Sequence, residues 1–401
     1  QKEAMLASHW DRKFKESMIS KSEFTKRWNT YFDAYKGDYF NKKGSPEYKS
    51  NLVSNYIFSI IETIRPIMVD NDPKFQSMPR SPEGMRFSED LNKALGYEWD
   101  REQMNTKLYR ELINNLVTGN YFFFVPWDSL KKEIRAVSVS PFNLFVDPIA
   151  QSIQDAEYVI YADYYNINVV KRQFPEHAER LVGSTIKHTE LVQDKDVDKQ
   201  VENQVLILEI YHRDHDCHLQ GAKDTFSKDA KSFVTIVAPE LGLVLKDDEN
   251  PYKDDKYPFV HGKDYDVPGQ FWGEGEVSQL LSPQTYMNEL NNSVLDNAKA
   301  TANMPWIVDS ISGIPKGSIT NRPGLIIRKR QGTEVRREQP PGMPSYVVNA
   351  IESYKGDMEQ ISGIFDTLKG NSETGVYTAQ GILALQEAGQ ARIRLKVKLM
   401  E

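Results

Sequence analysis

Between Pro268 and Asn303, apolar residues recur at three- and four-residue intervals: Val277, Leu280, Leu281, Met287, Leu290, Val294 and Ala298. That spacing predicts a helix with one apolar stripe. Its other side carries Asn288, Glu289, Asn291, Asn292, Asp296 and Lys299. Ser282-Pro283 fits a cap followed by a first-turn proline, so the pattern admits a break near Leu281. The stripe needs a partner, and the segment Ser345 to Phe365 supplies one. Its Val347, Ile351, Tyr354, Met358, Ile361 and Phe365 are spaced nearly as a heptad seam.

The same reading extends to the rest of the chain. Residues 1–40 hold Trp10/Phe14, Trp28/Phe32 and Tyr31/Tyr35 at i,i+4, which predicts docked amphipathic helices. Asn51 to Met68 reads as a buried helix stopped before Pro73, and Ser88 to Thr118 as one long helix closed by Gly119. Strands follow at Tyr121–Val125, at the alternating Glu133–Ser140, at 141–148 and at Tyr158–Tyr164, then a short helix at 166–174. Residues 188–204 are charged and poor in large apolar side chains, which predicts a surface excursion. Val205–Tyr211, Phe233–Ala238 and Leu241–Leu245 read as a second antiparallel segment, and Lys253–Val260 as a polar turn into an extended piece. From Met304 to Pro344 short strands at 306–308, 325–327 and 333–335 alternate with glycines. This is a small β module inserted between two helices. The polar stretch 366–375 is a glycine loop leading to a last helix. Helices and strands mix throughout, so the fold class is α+β.

At 401 residues the chain has room for two or three domains. It starts at Gln1 and stops inside the helix-like ARIRLKVKLME, which suggests a piece of a longer protein. Lys plus Arg total 50 against 57 Asp plus Glu, a net charge of −7. A protein that wraps nucleic acid over its whole surface would be basic, because phosphate neutralisation dominates that affinity. A mildly acidic surface suits one that lets DNA pass without holding it. The single Cys217 excludes an internal disulfide and fits a reducing compartment. The longest apolar run, Tyr56 to Val69, is broken by Glu62, Arg65 and Pro66 and is too interrupted to span a bilayer. No secretory signal pattern opens the chain.

Candidate chemistry is sparse. Residues 211–218 gather His212, Asp214, His215, Asp216, Cys217 and His218, and the four His and Cys residues among them are soft or borderline ligands of the kind zinc favours. The spacing matches neither paired-cysteine nor HExxH patterns, and a polar hairpin end explains it as well. Gly273-Glu-Gly275 before a helix lacks the third glycine and the lysine of a phosphate loop, so a tight entry turn is its plainer reading. No nucleophile motif appears, and no cofactor is implied. Arg322, Arg328, Lys329, Arg330, Arg336 and Arg337 concentrate positive charge in the β module, interrupted by Glu334 and Glu338. They suit either partner docking or a solvated hairpin.

The order of these elements resembles the portal proteins of tailed bacteriophages, the short-tailed-phage type in particular. The resemblance rests on Pro141-Phe-Asn-Leu-Phe-Val-Asp147-Pro148 with Asp155-Ala-Glu-Tyr158, and on Tyr257-Pro258-Phe259-Val260. It continues through PGQFWGEGEVSQLLSPQTYMNEL, the glycine-rich β insertion between two helices, and Ser372 to Gln380 opening the final helix. It implies a portal-like fold: a wing over 1–265, a two-helix stem over 266–303 and 345–365, a clip over 304–344, a tunnel loop over 366–375, and a helix over 376–401 leading towards a crown.

It also implies a non-enzymatic ring, usually of twelve subunits, at one capsid vertex of the virion, assembled in the host cytoplasm. Double-stranded DNA would pass through it during packaging and ejection. Terminase and then the tail adaptor would dock on the clip, with capsid and scaffolding proteins as further partners and no membrane. Arg322, Arg328, Lys329, Arg330, Arg336 and Arg337 would be the docking set on the clip, and Lys369, Asn371, Ser372 and Thr374 would face DNA in the tunnel loop. Two alternatives stand beside this reading: a metal-dependent nucleic-acid enzyme using His212 to His218, and a virion adaptor that never touches DNA.

Overall fold

The computed structural model describes residues 2–39, 49–69, 77–79, 81, 84–128, 131–186, 191, 202–213, 231–304, 306–315, 317, 319, 326–338, 342–364, 387 and 391–400. These form a mixed α+β protein of two compact units. One comprises 1–32, 61–278 and 378–401; the other comprises 33–60 and 279–377.

In chain order, helices α1 (Lys2–Lys36), α2 (Tyr56–Val69), α3 (Gly84–Arg101) and α4 (Met104–Thr118) come first. The aromatic pairs of residues 1–40 thus sit on one 35-residue helix. Residues 51–55, expected to be helical, precede α2 without helix. The helix expected over 88–118 is in fact two, because Gln103 between them adopts a left-handed φ of 51°. Gly119 ends α4 as anticipated, at φ 84° with its N–H on the Asn115 carbonyl.

The large unit is built on a five-stranded antiparallel sheet. Its strands are β5 (Leu144–Val146), β6 (Tyr158–Asn166), β7 (Gln204–His212), β8 (Phe233–Ala238) and β9 (Leu243–Glu249), in that spatial order. The strands expected to form a second antiparallel segment therefore join the first, since β6 and β7 pair along their full nine residues, Tyr158 opposite His212 and Asn166 opposite Gln204.

Period-two alternation explains why β7 is apolar almost throughout. Leu206, Leu208 and Ile210 meet Leu6, Ala7, Trp10 and Phe14 of α1. Val205 and Ile207 point the other way, into a cluster with Ile167 and Val170 of α5 (Ile167–Gln173). Asn166 caps α5 by accepting the Asn168 N–H. A fully buried Phe14 contributes roughly 1.5–3 kcal/mol through this burial.

A smaller sheet packs β1 (Asn120–Phe124) between β10 (Phe259–Lys263) and β4 (Val137–Ser138). The alternating segment expected as one strand over 133–140 is split. β3 (Glu133–Ile134) pairs instead with β2 (Trp127–Asp128), and only β4 reaches β1. His261 of β10 stacks between Phe122 and Phe271, with ring centroids 4.4 and 4.7 Å away.

The second unit contains most of α6 (Glu276–Ala302), the two-stranded module of β11 (Trp306–Val308) and β12 (Val335–Arg337), and α7 (Ser345–Ser362). α6 carries Pro283 without a break, so the break that the sequence admits near Leu281 is not taken. The expected apolar stripe is buried at Val277, Leu280 and Met287 but not further along. Gln284 and Asn288 are fully buried and Asn292 nearly so, whereas Leu290 and Val294 are only half-buried and Ala298 is exposed. α7 meets α6 through stacked Tyr286 and Tyr354 rings, 6.2 Å apart. What covers the buried amide face of α6 is the stretch 50–57, by hydrogen bonds rather than by apolar contact.

Candidate partner and nucleic-acid interface

The basic β module is a short hairpin-like platform. Trp306, Ile307 and Val308 pair with Arg337, Arg336 and Val335. Leu325 lies outside the described residues, Ile326 and Ile327 form no strand, and the second strand sits at 335–337 rather than 333–335. Asp309 clamps the base: its N–H donates to the Glu334 carbonyl at 3.2 Å, and its carboxylate accepts the Glu334 N–H at 2.6 Å. The Arg330 carbonyl accepts both the N–H and the hydroxyl of Thr333.

On that frame the cations differ in how they are held. The Arg337 guanidinium lies 4.6 Å from the Trp306 ring. Arg336 is shared by Glu334 and Glu338, each at 3.7 Å. Lys329 reaches the Thr333 carbonyl at 2.5 Å. Arg328, Lys329 and Arg330 are consecutive and exposed, beside Ile326 at 84 % exposure. A triplet of exposed cations flanked by an apolar side chain can meet an acidic protein surface or a phosphate backbone. Arg322 lies outside the described residues, as do Lys369, Asn371, Ser372 and Thr374 of the predicted channel loop.

The histidine cluster fares differently. Asp214, His215, Asp216, Cys217 and His218 lie outside the described residues, but His212 does not. It ends β7 fully buried, with its ring against Trp10 and Phe233, and its Nε2 is 2.9 Å from the Thr235 hydroxyl. That hydroxyl in turn donates to Asp247 at 2.8 Å. A ring nitrogen committed to a core hydroxyl is not offered to a metal. Among the described residues no group of three or more His, Cys, Asp and Glu could hold an ion.

The glycine turn before α6 is filled by backbone. Gly273 donates to Asn120 Oδ1 at 2.9 Å, and Tyr265 and Glu274 exchange both backbone bonds at 3.0 Å. A Cβ on Gly275 would fall 2.6 Å from the Leu116 carbonyl. The turn is a close crossing with the end of α4, and the Gly273 and Glu274 N–H groups are already committed within the protein.

Two features escaped sequence reasoning. Lys21 of α1 is buried, donating to the Phe142 and Leu144 carbonyls at 2.8 and 2.7 Å under the Phe145, Trp272 and Trp28 rings. Burial pushes its amine well down, while the carbonyls and ring faces favour the charge. Lys396, on helix Ala391–Met400, is buried between Asp264 and Glu276. A lysine four residues beyond Arg392 in a basic run looks like a solvated face, so no pattern marked it.

Comparison with protein families defines the class: a phage portal protein. The chain belongs to the family described as Phage SU10 portal protein, whose model matches residues 125–400. A search of curated proteins found no match. The family is a structural, non-enzymatic class that associates with the capsid vertex as an oligomeric ring. No helix among the described residues is long and apolar enough to cross a membrane.

Proposed function

We propose that the protein forms a ring of about twelve copies at one capsid vertex, the closed cyclic arrangement that a head-to-tail contact produces. The ring is the channel for double-stranded DNA during packaging and ejection. Residues 1–265 form its wing, 266–303 and 345–365 its stem, and 304–344 its clip. The loop 366–375 borders the DNA, with Lys369 as its phosphate contact, and 376–401 leads to a crown. The observation that carries this reading is the family match over residues 125–400. The net charge of −7 supports it, because a channel of the same sign as DNA does not retain it.

The exposed triplet Arg328, Lys329 and Arg330 supports docking of terminase and then of the tail adaptor on the module 304–344. An in vitro packaging reaction tests this assignment. Replacing all three by Gln should leave ring assembly intact and weaken terminase recruitment, most strongly at low salt and less as salt rises and screens the parent's charges. Unchanged recruitment would remove the triplet from the docking surface.

A further inference from the structure

Four side chains on one row of α6, each four residues from the next, meet every second residue of a preceding stretch. Asp296 Oδ1 accepts the Ser50 N–H at 2.8 Å, Asn292 Oδ1 that of Leu52 at 2.8 Å, Asn288 Oδ1 that of Ser54 at 3.1 Å, and Gln284 Oε1 that of Tyr56 at 2.8 Å. The amide donors answer in the reverse direction: Asn292 Nδ2 to the Leu52 carbonyl at 3.0 Å and Gln284 Nε2 to the Ser54 carbonyl at 2.6 Å. Lys299 closes the end on the Ser50 hydroxyl at 2.5 Å.

The register has a simple physical origin. Four helical residues advance about 6 Å, and two residues of extended chain advance about 6.6 Å. A row of side-chain oxygens spaced by four therefore presents an acceptor near each even-numbered residue, and the amides of Asn292 and Gln284 add donors to it. Side-chain torsions absorb the small mismatch. The helix runs in one direction and the stretch in the other, so the pairing is antiparallel.

We propose that Gln284, Asn288, Asn292 and Asp296 form a main-chain-reading site for a single extended peptide, filled in cis by residues 50–56. Three observations point this way. Apart from the hydroxyl of Ser50, the row's hydrogen bonds to the stretch go to backbone atoms. Gln284 is fully buried with both ends of its amide bonded to the stretch, and the fully buried Asn288 is bonded to it through Oδ1. The side chain of Leu52, by contrast, is 53 % exposed, so the site does not select it. The occupant is recognised as a chain in extended conformation rather than as a sequence. Its role is to fasten α6 to the segment ahead of α2, and it holds whether or not the ring forms.

Hydrogen exchange on the unmodified protein is the first test. The amides of Leu52 and Ser54 should exchange at least about tenfold more slowly than those of Asn51 and Val53, which have no acceptor among the described residues. Proline substitution is the second. Leu52→Pro deletes a bonded N–H and should abolish protection at Ser54. Val53→Pro deletes an N–H that the row does not use and should keep it. Replacing Leu52 by Thr should change neither rate. Uniform exchange along 50–54, or equal effects of the two prolines, would overturn the proposal. Loss of protection in Leu52→Thr would show that the side chain is read after all.

Discussion

Lys396 Nζ lies 2.7 Å from Asp264 Oδ1 and 2.5 Å from Glu276 Oε1, with all three residues buried. Tyr265 completes the cluster, its ring 4.1 Å from the amine and its hydroxyl donating to Glu276 at 2.9 Å. Burial works against the lysine's charge, but Asp264 and Glu276 outweigh it and hold the amine above the ordinary lysine range. Burial likewise raises Asp264, against the pull of Lys396. One cation thus ties helix Ala391–Met400 to the end of β10 and the first turn of α6.

Removing only the cation leaves two buried carboxylates facing each other. Lys396→Met should cost about 3–5 kcal/mol in denaturant unfolding. Adding Asp264→Asn and Glu276→Gln to it should recover at least half of the loss. A single variant within about 0.5 kcal/mol of the parent would mean that the cluster is not formed in solution.

Stability should respond to pH in two opposed windows. Burial lowers His261 to about 3, so the folded state holds it neutral while the unfolded chain takes up a proton near 6.5. Its contribution is present above pH 6.5 and is lost as pH falls towards 3. Glu111, buried against Asn114 and Ser138, is raised by desolvation to about 7. Its contribution is present below the ordinary glutamate value and is lost as pH rises through 7.

Substitution separates the two terms. Glu111→Gln should stabilise the protein at pH 8 by on the order of 1–3 kcal/mol and flatten the upper limb of the profile. His261→Phe should flatten the acid limb between pH 6.5 and 4. Melting curves across pH 4 to 8 read both, and a Glu111→Gln profile parallel to the parent's would contradict the assignment.

Gly119 and Gly242 both adopt positive φ, at 84° and 62°, yet only the first is crowded. A Cβ at Gly119 would lie 2.3 Å from the Glu274 carbonyl carbon, whereas nothing lies within 4 Å at Gly242. Gly242→Ala should cost about 1 kcal/mol, the left-handed penalty alone. Gly119→Ala should cost at least about 3 kcal/mol, because backbone must move. Equal costs measured by chemical denaturation would refute the close crossing.

Much of the fold was legible because hydrophobic periodicity survives burial. The all-apolar Tyr121–Phe124 run is a buried strand, and Trp10 and Phe14 lie one turn apart on the face that meets the sheet. The glycine stop at 119 and the short helix before Pro175 were readable from local chemistry. The break at Gln103 was not, since no proline or glycine marks it. On α6 the apolar stripe held for Val277, Leu280 and Met287 but not beyond, where the buried face is held by amides bonding backbone from residues 50–57, more than 200 positions away in sequence. Charge patterning found the cations of the β module but could not show that Arg336 is shared by two glutamates or that Arg337 rests on Trp306. For His212 the sequence left a polar hairpin end or a zinc ligand open, and the residue is a core histidine, a distinction that burial makes.

Lys369 carries the proposed DNA contact. Lys369→Ala should leave particle mass unchanged and slow or abort packaging in a DNA-protection assay, with the largest effect at low salt. Packaging indistinguishable from the parent would favour a virion adaptor that does not touch DNA.

The most direct test of the portal reading is the mass and symmetry of the purified particle, by native mass spectrometry with electron-microscope class averages. The account predicts a closed ring of about twelve copies around a central channel, without bound metal. A monomer carrying one zinc per chain would contradict it and return attention to residues 212–218.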